Sequence, residues 1–557
     1  MLWKKRNDYS SISSVVASNL GVDSVDEIDV WKEKYDKNEY PIDGLDDAAE
    51  TISRFCKAGK RIRICGDYDV DGRTASIILF MALKHIGCDN LDVRIPRRFS
   101  EGYGMKPVMI DEVKEDDALI ITVDNGIAAF DAVNEAKRRG MTVVVTDHHM
   151  PSVENDEVVI PNADVVVDPH VYHSLGGYTE YCGAGIAYKL ALKLVDEEFG
   201  KSLLPYAALA TVADVVELRE ENYIIVREGL AQITDRNAPY GILALMDAMD
   251  IETCFADSIG YKLAPAINAP GRMNDHDTVT LPLLASKTID KARKYADTIV
   301  EVNELRKAAV SEAVDRAKES LIAEDYQPGD LIMVLLDGVK PGILGIIAGR
   351  LSEDYRVPAL VFVKNEDDIC AGSARSVDGF NVLRLLNGRR GEFRSMGGHE
   401  QAAGMSVDVS VFKTLKDHLT EDFRNSGFVF TPPDVAYYDL SIDASYAGRV
   451  LPVQDRYEPY GQGNEKIIYE FRNFHLVEKP KMVGGNGVKL RGDGVTAIGF
   501  GLWPLACELG DFTVCTVYGT LSWNEFRGNK SVQIQVLDIK KPEPKKATGL
   551  AEKLRAM

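Results

Sequence analysis

No CxxC pair occurs among the eight cysteines, which are scattered at Cys56, Cys65, Cys88, Cys182, Cys254, Cys370, Cys507 and Cys515. That spacing argues against a zinc ribbon or a disulfide framework and favours a reducing cytoplasm. No run approaches the roughly 18 apolar residues of a membrane span, so no membrane partner is expected. The opening MLWKKRNDYSSISS carries early positive charge, but no apolar h-region follows it. Positive charge is in deficit: 65 Lys and Arg stand against 86 Asp and Glu, a net charge of −21. An evenly acidic surface repels nucleic acid, so composition alone argues mildly against such a partner. Binding depends on local patches, however, and carboxylates packed around a metal count in the total while the metal offsets them in space. Internal repeats are also missing.

At 557 residues the chain is too long for one ordinary core, and at roughly 100–200 residues per domain three or four units are expected. From about residue 46, apolar strands alternate with amphipathic helices. Strands are read at 61–65, 118–123, 142–145 and 165–167, and helices at 74–86, 128–139 and 185–198. Continuously apolar strands separated by helices predict a parallel sheet covered on both faces. A long charged segment of helical period, 283–323, reads as a connecting helix. Strands at 331–336 and 359–363 flank a helix at 343–351 in a second, smaller α/β unit. Beyond Pro432–Pro433, short alternating runs with Gly and Asn turns predict a small β-barrel. The domains expected are thus a lead-in over 1–45, an α/β unit over 46–282, the helix, a second α/β unit over 324–428, a barrel over 429–540 and a basic tail over 541–557.

Four segments share one design, an apolar strand followed at once by acidic or imidazole groups: Ile64-Cys65-Gly66-Asp67-Tyr68-Asp69-Val70-Asp71-Gly72, Val123-Asp124-Asn125-Gly126, Val145-Thr146-Asp147-His148-His149 and Val167-Asp168-Pro169-His170. A further acid, Asp214, follows an apolar helix. In open α/β sheets ligands sit beyond the carboxyl ends of the strands, so these groups face one crevice. A single Asp after a strand is usually a turn or helix cap; the D-x-D-x-D alternation and the adjacent His pair are harder to explain that way. Two like charges about 4 Å apart cost around 4 kcal/mol at an effective dielectric near 20. Several carboxylates in one crevice therefore protonate or bind cations. Carboxylates with imidazole and no thiolate suit manganese, magnesium or zinc, and the harder ions best. An Asp bridging two ions would permit two-metal hydrolysis of a phosphoester.

These motifs, GDYDVDG at Gly66–Gly72, VDNG at Val123–Gly126, TDHH at Thr146–His149 and ADVV at Ala213–Val216, resemble those of the DHH phosphoesterase superfamily. Within it the likeness is to the single-strand-specific 5′ exonucleases of DNA repair and recombination, and it covers about residues 46–540. The resemblance implies metal ligation by Asp69, Asp71, Asp124, His148 and Asp214 with Asp67 close by, Asp71 and Asp124 being candidates for sharing. It implies one or two Mn²⁺ or Mg²⁺ ions, two being the expectation. It places Asp124, His149 and Arg272 in catalysis, with His149 meeting the scissile phosphate and Arg272, in Asn268-Ala269-Pro270-Gly271-Arg272, facing it. Asp147 either ligates or orients a ligand, and Asp168 is less secure because Asp-Pro also ends strands. Arg98 and Tyr103 line the strand's path. Asn268, Ser373, Arg375, Ser376, Gly398 and His399 complete the DNA-binding set, with Arg98, Ser373 and Arg375 holding the 5′-terminal phosphate. The second unit resembles the DHH-associated domain through Gly372–Ser376 and Gly397-Gly398-His399, read as Gly-rich loops. The last unit resembles an OB-fold, with Lys481, Lys489, Arg491, Trp523, Phe526, Arg527 and Lys530 as candidate contacts to a single strand. Two departures from the family pattern are Val339-Lys340, where Trp-His is frequent, and Glu217, where Pro is common.

The function implied is 5′-to-3′ degradation of single-stranded DNA to mononucleotides by a cytoplasmic monomer working beside a RecQ-type helicase and single-strand-binding protein. The alternative is a DHH phosphodiesterase acting on short oligoribonucleotides or cyclic dinucleotides; such proteins usually stop before a barrel. A non-catalytic scaffold of the same fold would be expected to lose metal ligands, and none is lost here.

Overall fold

The computed structural model describes residues 2–154, 157–171, 177–365, 367–431, 434–526 and 529–541. Arg527, Pro432, Pro433, most of the basic tail and the side chain of Phe526 lie outside the described residues. The first unit is built on a five-stranded sheet in the order Leu91–Arg94, Ile62–Cys65, Leu119–Val123, Thr142–Thr146 and Val165–Val167, every neighbouring pair parallel. Ile62–Cys65 and Leu119–Val123 are buried throughout, as strands with helices on both faces must be. All strand ends bearing Asp67, Asp124 and Asp147 therefore open on one side. The edge strand Leu91–Arg94 is half-buried and carries Asp92 and Arg94, which hides it from a reading based on apolar runs.

Helix Val70–His85 starts on Asp69, whose side chain accepts from the Gly72 amide at 3.1 Å. Helix Gly183–Leu194 ends sooner than expected, and a separate helix, Glu197–Ala213, delivers Asp214 at its C-terminal end. Behind these helices, Lys189 donates to both oxygens of Glu221 at 2.7 Å, and the Tyr181 hydroxyl donates to the same carboxylate. The pair is almost wholly buried. Losing one partner strands the other's charge in a low dielectric, which costs about 3–5 kcal/mol. Lys189→Met should therefore lower the thermal midpoint sharply, and Lys189→Met combined with Glu221→Gln should recover most of the loss.

The connecting helix spans Ile289–Ala323. Ala292, Ala296 and Ile299 sit in the first unit's core, whereas Val310, Ala313, Val314, Ala317 and Leu321 sit in the second's. Its middle, around Asn303–Arg306, crosses the cleft between them. The second sheet runs Ser395–His399, Ala402–Asp408, Ile369–Arg375, Ala359–Lys364, Ile332–Leu336, the last pair parallel and the others antiparallel. This corrects the Gly-rich loops: the segments with Ser373 and Arg375 and with Gly398 and His399 are strands. Small residues there make room for packing, since a Cβ at Gly372 would lie 2.4 Å from the Phe362 ring.

The C-terminal unit is a seven-stranded mixed sheet in the order Leu440–Asp443, Tyr469–His475, Val514–Phe526, Asn529–Lys540, Val495–Gly499, Gly487–Gly492, Lys481–Val483. The lead-in, which reads as helical in sequence, holds helices Ile12–Leu20 and Glu27–Asp36 but departs from that expectation at its start. It opens with a strand, Leu2–Lys5, paired in parallel with Val435–Tyr438. Val15, Val16, Leu20, Ile28 and Trp31 then enter the C-terminal unit's core. A second departure is a disulfide between Cys56 and Cys88, at the ends of neighbouring helices with Cα atoms 5.1 Å apart; Cys65, Cys182, Cys254, Cys370, Cys507 and Cys515 are free. Among the described residues no helix is long and apolar enough to cross a membrane.

Candidate active site

The strand ends gather their acids as the charge pattern requires. Ligand atoms of Asp67, Asp69 and Asp124 lie within 4.8 Å of one another, and so do those of Asp71, His148 and Asp214 and those of Asp124, His148 and His149. Asp124 stands between the groups: its Oδ1 is 3.1 Å from His148 Nε2, which lies 3.6 Å from Asp71 and 3.8 Å from Asp214. Asp124 holds a left-handed backbone, φ 58°. Such strain in a non-glycine residue belongs to sites where neighbours over-determine the conformation. Gly183 is one such neighbour, because a Cβ there would lie 2.4 Å from that of Asp124. The amides of Gly183 and Ala184, at the start of helix Gly183–Leu194, donate to the two oxygens of Asp71 at 2.6 and 2.8 Å. A positive helix end thus fixes one carboxylate of the cluster.

Electrostatics marks the same residues. Burial, followed by the charges of Asp71, Asp69 and Asp67, pushes Asp124 well above the usual carboxylate range. Burial and the charges of Asp71 and Asp69 take Asp214 up to about 8, and burial with Asp69 takes Asp67 to about 7. His148 is pushed down by burial, which favours the neutral imidazole that a metal takes. Asp67 Oδ1 accepts from the Gly104 amide at 3.0 Å while the buried Oδ2 has no hydrogen-bond partner. Buried carboxylates that repel one another, an orphaned oxygen, a neutral imidazole and no thiolate fit a pair of hard divalent cations.

Both oxygens of Asp147 are engaged within the protein. Its Oδ2 accepts from the Ile127 amide at 2.9 Å; its Oδ1 accepts from the His148 amide and bonds His149 Nδ1 at 2.7 Å. Burial opposes a charge on His149, but that hydrogen bond and the charge of Asp147 outweigh it and raise the imidazole to about 9. Asp168 stays apart from the three ligand groups; one oxygen accepts from the His170 amide at 2.9 Å.

Around the acids stands a ring of arginines. Arg272 is pushed down to about 10 by burial and by the charges of Arg98, Arg306 and Arg375. Arg375 is lowered by burial and Arg98, and Arg306 by burial and Arg350. Among the described residues none of these five has a carboxylate partner within 4.0 Å, although acids outnumber bases in the chain. Guanidinium groups without carboxylate partners, three of them lowered by burial and by their neighbours' charges, suit anions. Arg306, half-buried on the connecting helix, and Arg350, exposed on helix Leu344–Tyr355, escaped the sequence reading, since a charged residue on a helix is ordinarily solvated. Gly342 and Gly345 escaped it too. A Cβ at Gly342 would lie 2.3 Å from the Arg272 carbonyl, and one at Gly345 would lie 2.8 Å from Arg375 Nη2 and 3.1 Å from Ser373 Oγ. The Pro341-Gly342 pair was the available signal.

Arg98 covers the Tyr68 ring at 4.4 Å, and Tyr68 meets Tyr103 edge-on. The Tyr103 hydroxyl donates to the Asp124 carbonyl at 2.9 Å and sits 3.1 Å from His149 Nε2. The expected base-stacking tyrosine is thus anchored to the metal site. Asp275 clamps the Arg98 loop, accepting from the Phe99 amide at 2.8 Å and the Ser100 hydroxyl at 2.7 Å. Asn268 Oδ1 is buried without a partner. The Ser376 hydroxyl instead donates to the Phe380 carbonyl at 2.7 Å, and Gly398 and His399 lie exposed on the outer strand of their sheet. In the last unit Trp523 donates to Asp455 at 2.6 Å with Lys530 over its ring, and Lys481 lies across from Lys489.

A parallel sheet whose strand ends converge buried aspartates and a His pair, closed by an arginine-lined second unit, defines a metal-dependent phosphoesterase of the DHH type. Residues 61–213 match the DHH family N-terminal domain, 329–425 the DHHA1 domain and 438–538 the RecJ OB domain. The single-stranded-DNA-specific exonuclease RecJ of Escherichia coli (strain K12) is 30% identical over 540 residues, covering 89% of this chain and 90% of its own. The enzyme of that name from Bacillus subtilis (strain 168) is 30% identical over 555 residues, 96% of this chain and 69% of its own. The crystal structure of RecJ in complex with Mn²⁺ from Thermus thermophilus superposes with a TM-score of 0.74 at 25% identity, covering 98% of this chain and 80% of that one. The chain belongs to the RecJ family of single-stranded-DNA-specific exonucleases.

Proposed function

We propose that the protein removes mononucleotides from the 5′ end of single-stranded DNA, using two Mn²⁺ or Mg²⁺ ions. The observation that carries this reading is the meeting of an all-carboxylate group and a carboxylate–histidine group with several arginines that lack carboxylate partners. Asp67, Asp69 and Asp124 would hold one ion and Asp71, Asp124, His148 and Asp214 the other. When bound, the ions supply an activated water and neutralise charge on the phosphoryl oxygens. The chain's own groups do the rest. Asp147 holds the proton on Nδ1 of His149 and turns the ring toward the reacting phosphate. Arg272 offers a fixed positive charge where negative charge grows on that phosphate. Arg98, Arg375 and Ser373 grip the terminal 5′-phosphate, so only a 5′ end places its first linkage at the acids. Arg306 and Arg350 extend the run of cations, for backbone phosphates or for the terminal one. The resemblance further implies that a RecQ-type helicase and single-strand-binding protein supply the unpaired strand, which co-purification tests.

The function is tested by digesting end-labelled single-stranded DNA, duplex DNA and a dinucleotide with each metal. We expect mononucleotides from the single strand alone, loss of activity in excess chelator and recovery with manganese or magnesium. Full activity in chelator would exclude the two-metal reading. Arg375→Ala should lose a bidentate contact to the end group, on the order of tenfold or more in preference for a 5′-phosphate over a 5′-hydroxyl. An unchanged preference would remove Arg375 from the end site.

A further inference from the structure

The acids of the metal site differ in how they are held. Asp67 accepts from the Gly104 amide, Asp69 from the Gly72 amide and Asp71 from the amides of Gly183 and Ala184. Asp124 lies within hydrogen-bond reach of His148. Among the described residues no donor reaches the carboxylate of Asp214; His148 Nε2 stands off at 3.8 Å. The position of Asp214 therefore rests on the backbone that carries it. That backbone leaves helix Glu197–Ala213 at Asp214 and turns at Val215, which holds a left-handed φ of 61°, rare for a β-branched residue. Just beyond the turn the chain is gripped from outside. The Leu218 amide donates to the Gln462 carbonyl at 2.7 Å, and a Cβ at Gly461 would lie 2.8 Å from Leu218 Cδ1. Arg219 donates through Nε to the Gly463 carbonyl at 3.3 Å and through Nη2 to the Asn19 carbonyl at 2.9 Å, while Nη1 lies 3.2 Å from Glu217. The Asn19 side chain donates in turn to the Glu465 carbonyl at 2.8 Å. One guanidinium thus ties together the first unit, the lead-in and the C-terminal unit.

We propose that Arg219 is a positioning residue for one of the two ions: by clasping segment 215–219 to the C-terminal unit, it keeps Asp214 where Asp71, Asp124 and His148 converge. The proposal rests on the two-metal reading and adds to it a division between the ions. The C-terminal unit supplies no ligand, yet it sets the affinity of the ion that Asp214 holds. The ion of Asp67, Asp69 and Asp124 is independent of it, because those acids are anchored by groups of the first unit alone. The physical link is conformational. A carboxylate in its binding position for only about a tenth of the time holds its ion about tenfold more weakly. Groups that orient a metal ligand from behind typically govern about 10–100-fold of metal affinity. Here the orientation passes through backbone, since no hydrogen bond reaches the carboxylate itself.

The test titrates the full-length protein with Mn²⁺ alone, without DNA, and reads the free ion by its electron paramagnetic resonance signal. The parent should bind two ions. Arg219→Ala should keep one of them within about twofold of the parental affinity and bind the other on the order of tenfold more weakly. Gly461→Ala removes no hydrogen bond but presses a methyl group on Leu218; it should weaken the same ion, and it decides the matter if Arg219→Ala fails to fold. The C-terminal unit stays docked in both variants, since Lys466 still pairs with Asp257 and Thr253 still donates to Glu525 at 2.9 Å. On an Asp214→Asn background Arg219→Ala should change Mn²⁺ binding no further, because two residues that act through one ligand are not additive. Parental affinity for both ions in Arg219→Ala would overturn the clasp alone. Equal weakening of both ions, or a further loss on the Asp214→Asn background, would show a merely structural role and overturn it as well. A parent that binds fewer than two ions would overturn the two-metal reading together with the clasp.

Discussion

Asp124→Asn should lower hydrolysis by at least about 10³-fold and yet melt at a higher temperature than the parent when both are in chelator. The two effects have one cause. Asp124 is the carboxylate common to two of the ligand groups, so its loss weakens the hold on both ions. Without ions, its charge is buried among those of Asp71, Asp69 and Asp67, and the fold bears that repulsion. Neutralising the group removes the repulsion together with the affinity. Asn is the informative replacement because it tolerates a left-handed backbone at least as well as Asp, whereas Ala adds strain at φ 58°. Thermal melting with and without manganese checks the pair of effects: the parent should gain a larger shift from the metal than the variant. A variant that cleaves normally would remove Asp124 from the centre of the site.

Arg272→Ala should lower the turnover rate by on the order of 10²–10³-fold while weakening strand binding much less. Arg272 is half-buried, has no carboxylate partner among the described residues and is depressed by three neighbouring guanidinium groups. A cation kept in so unfavourable a place yields most when negative charge grows beside it. Lys should not restore the rate, since a point charge on a flexible stem cannot reproduce the planar fork. Single-turnover kinetics separates this result from that of Arg375→Ala, which acts on choice of the strand end. Loss of binding with an unchanged turnover rate would make Arg272 a grip and not a catalytic residue.

The acids of the site other than Asp214, which ends a helix, were legible because they follow apolar strands of a parallel sheet, where backbone geometry fixes which way the next residues face. Charge repulsion then turned their proximity into a demand for cations. Asp147 stayed ambiguous in sequence, since only coordinates show both oxygens spent on amides and on His149. Arg306 stayed hidden because helical period places a charged residue on a face without saying what lies opposite, and the connecting helix runs between two units. Gly372 and Gly398 looked like loop residues; in the strands they provide clearance for a ring and for a neighbouring backbone. The strand Leu2–Lys5 could not be read at all, because its partner lies more than four hundred residues away.

That last pairing has a consequence for how the chain is made. Leu2–Lys5 and the apolar faces of the two helices after it leave the ribosome long before their partners at 435–539. At about 5–20 residues per second the opening segment waits roughly 20–90 seconds. Meanwhile Val15, Val16 and Leu20 lack the C-terminal part of their core, although Trp31 already has Tyr223 to pack against. Newly made chains should therefore depend on a chaperone that shields the opening segment, and chains cut short before residue 435 should aggregate through it even where both α/β units are complete.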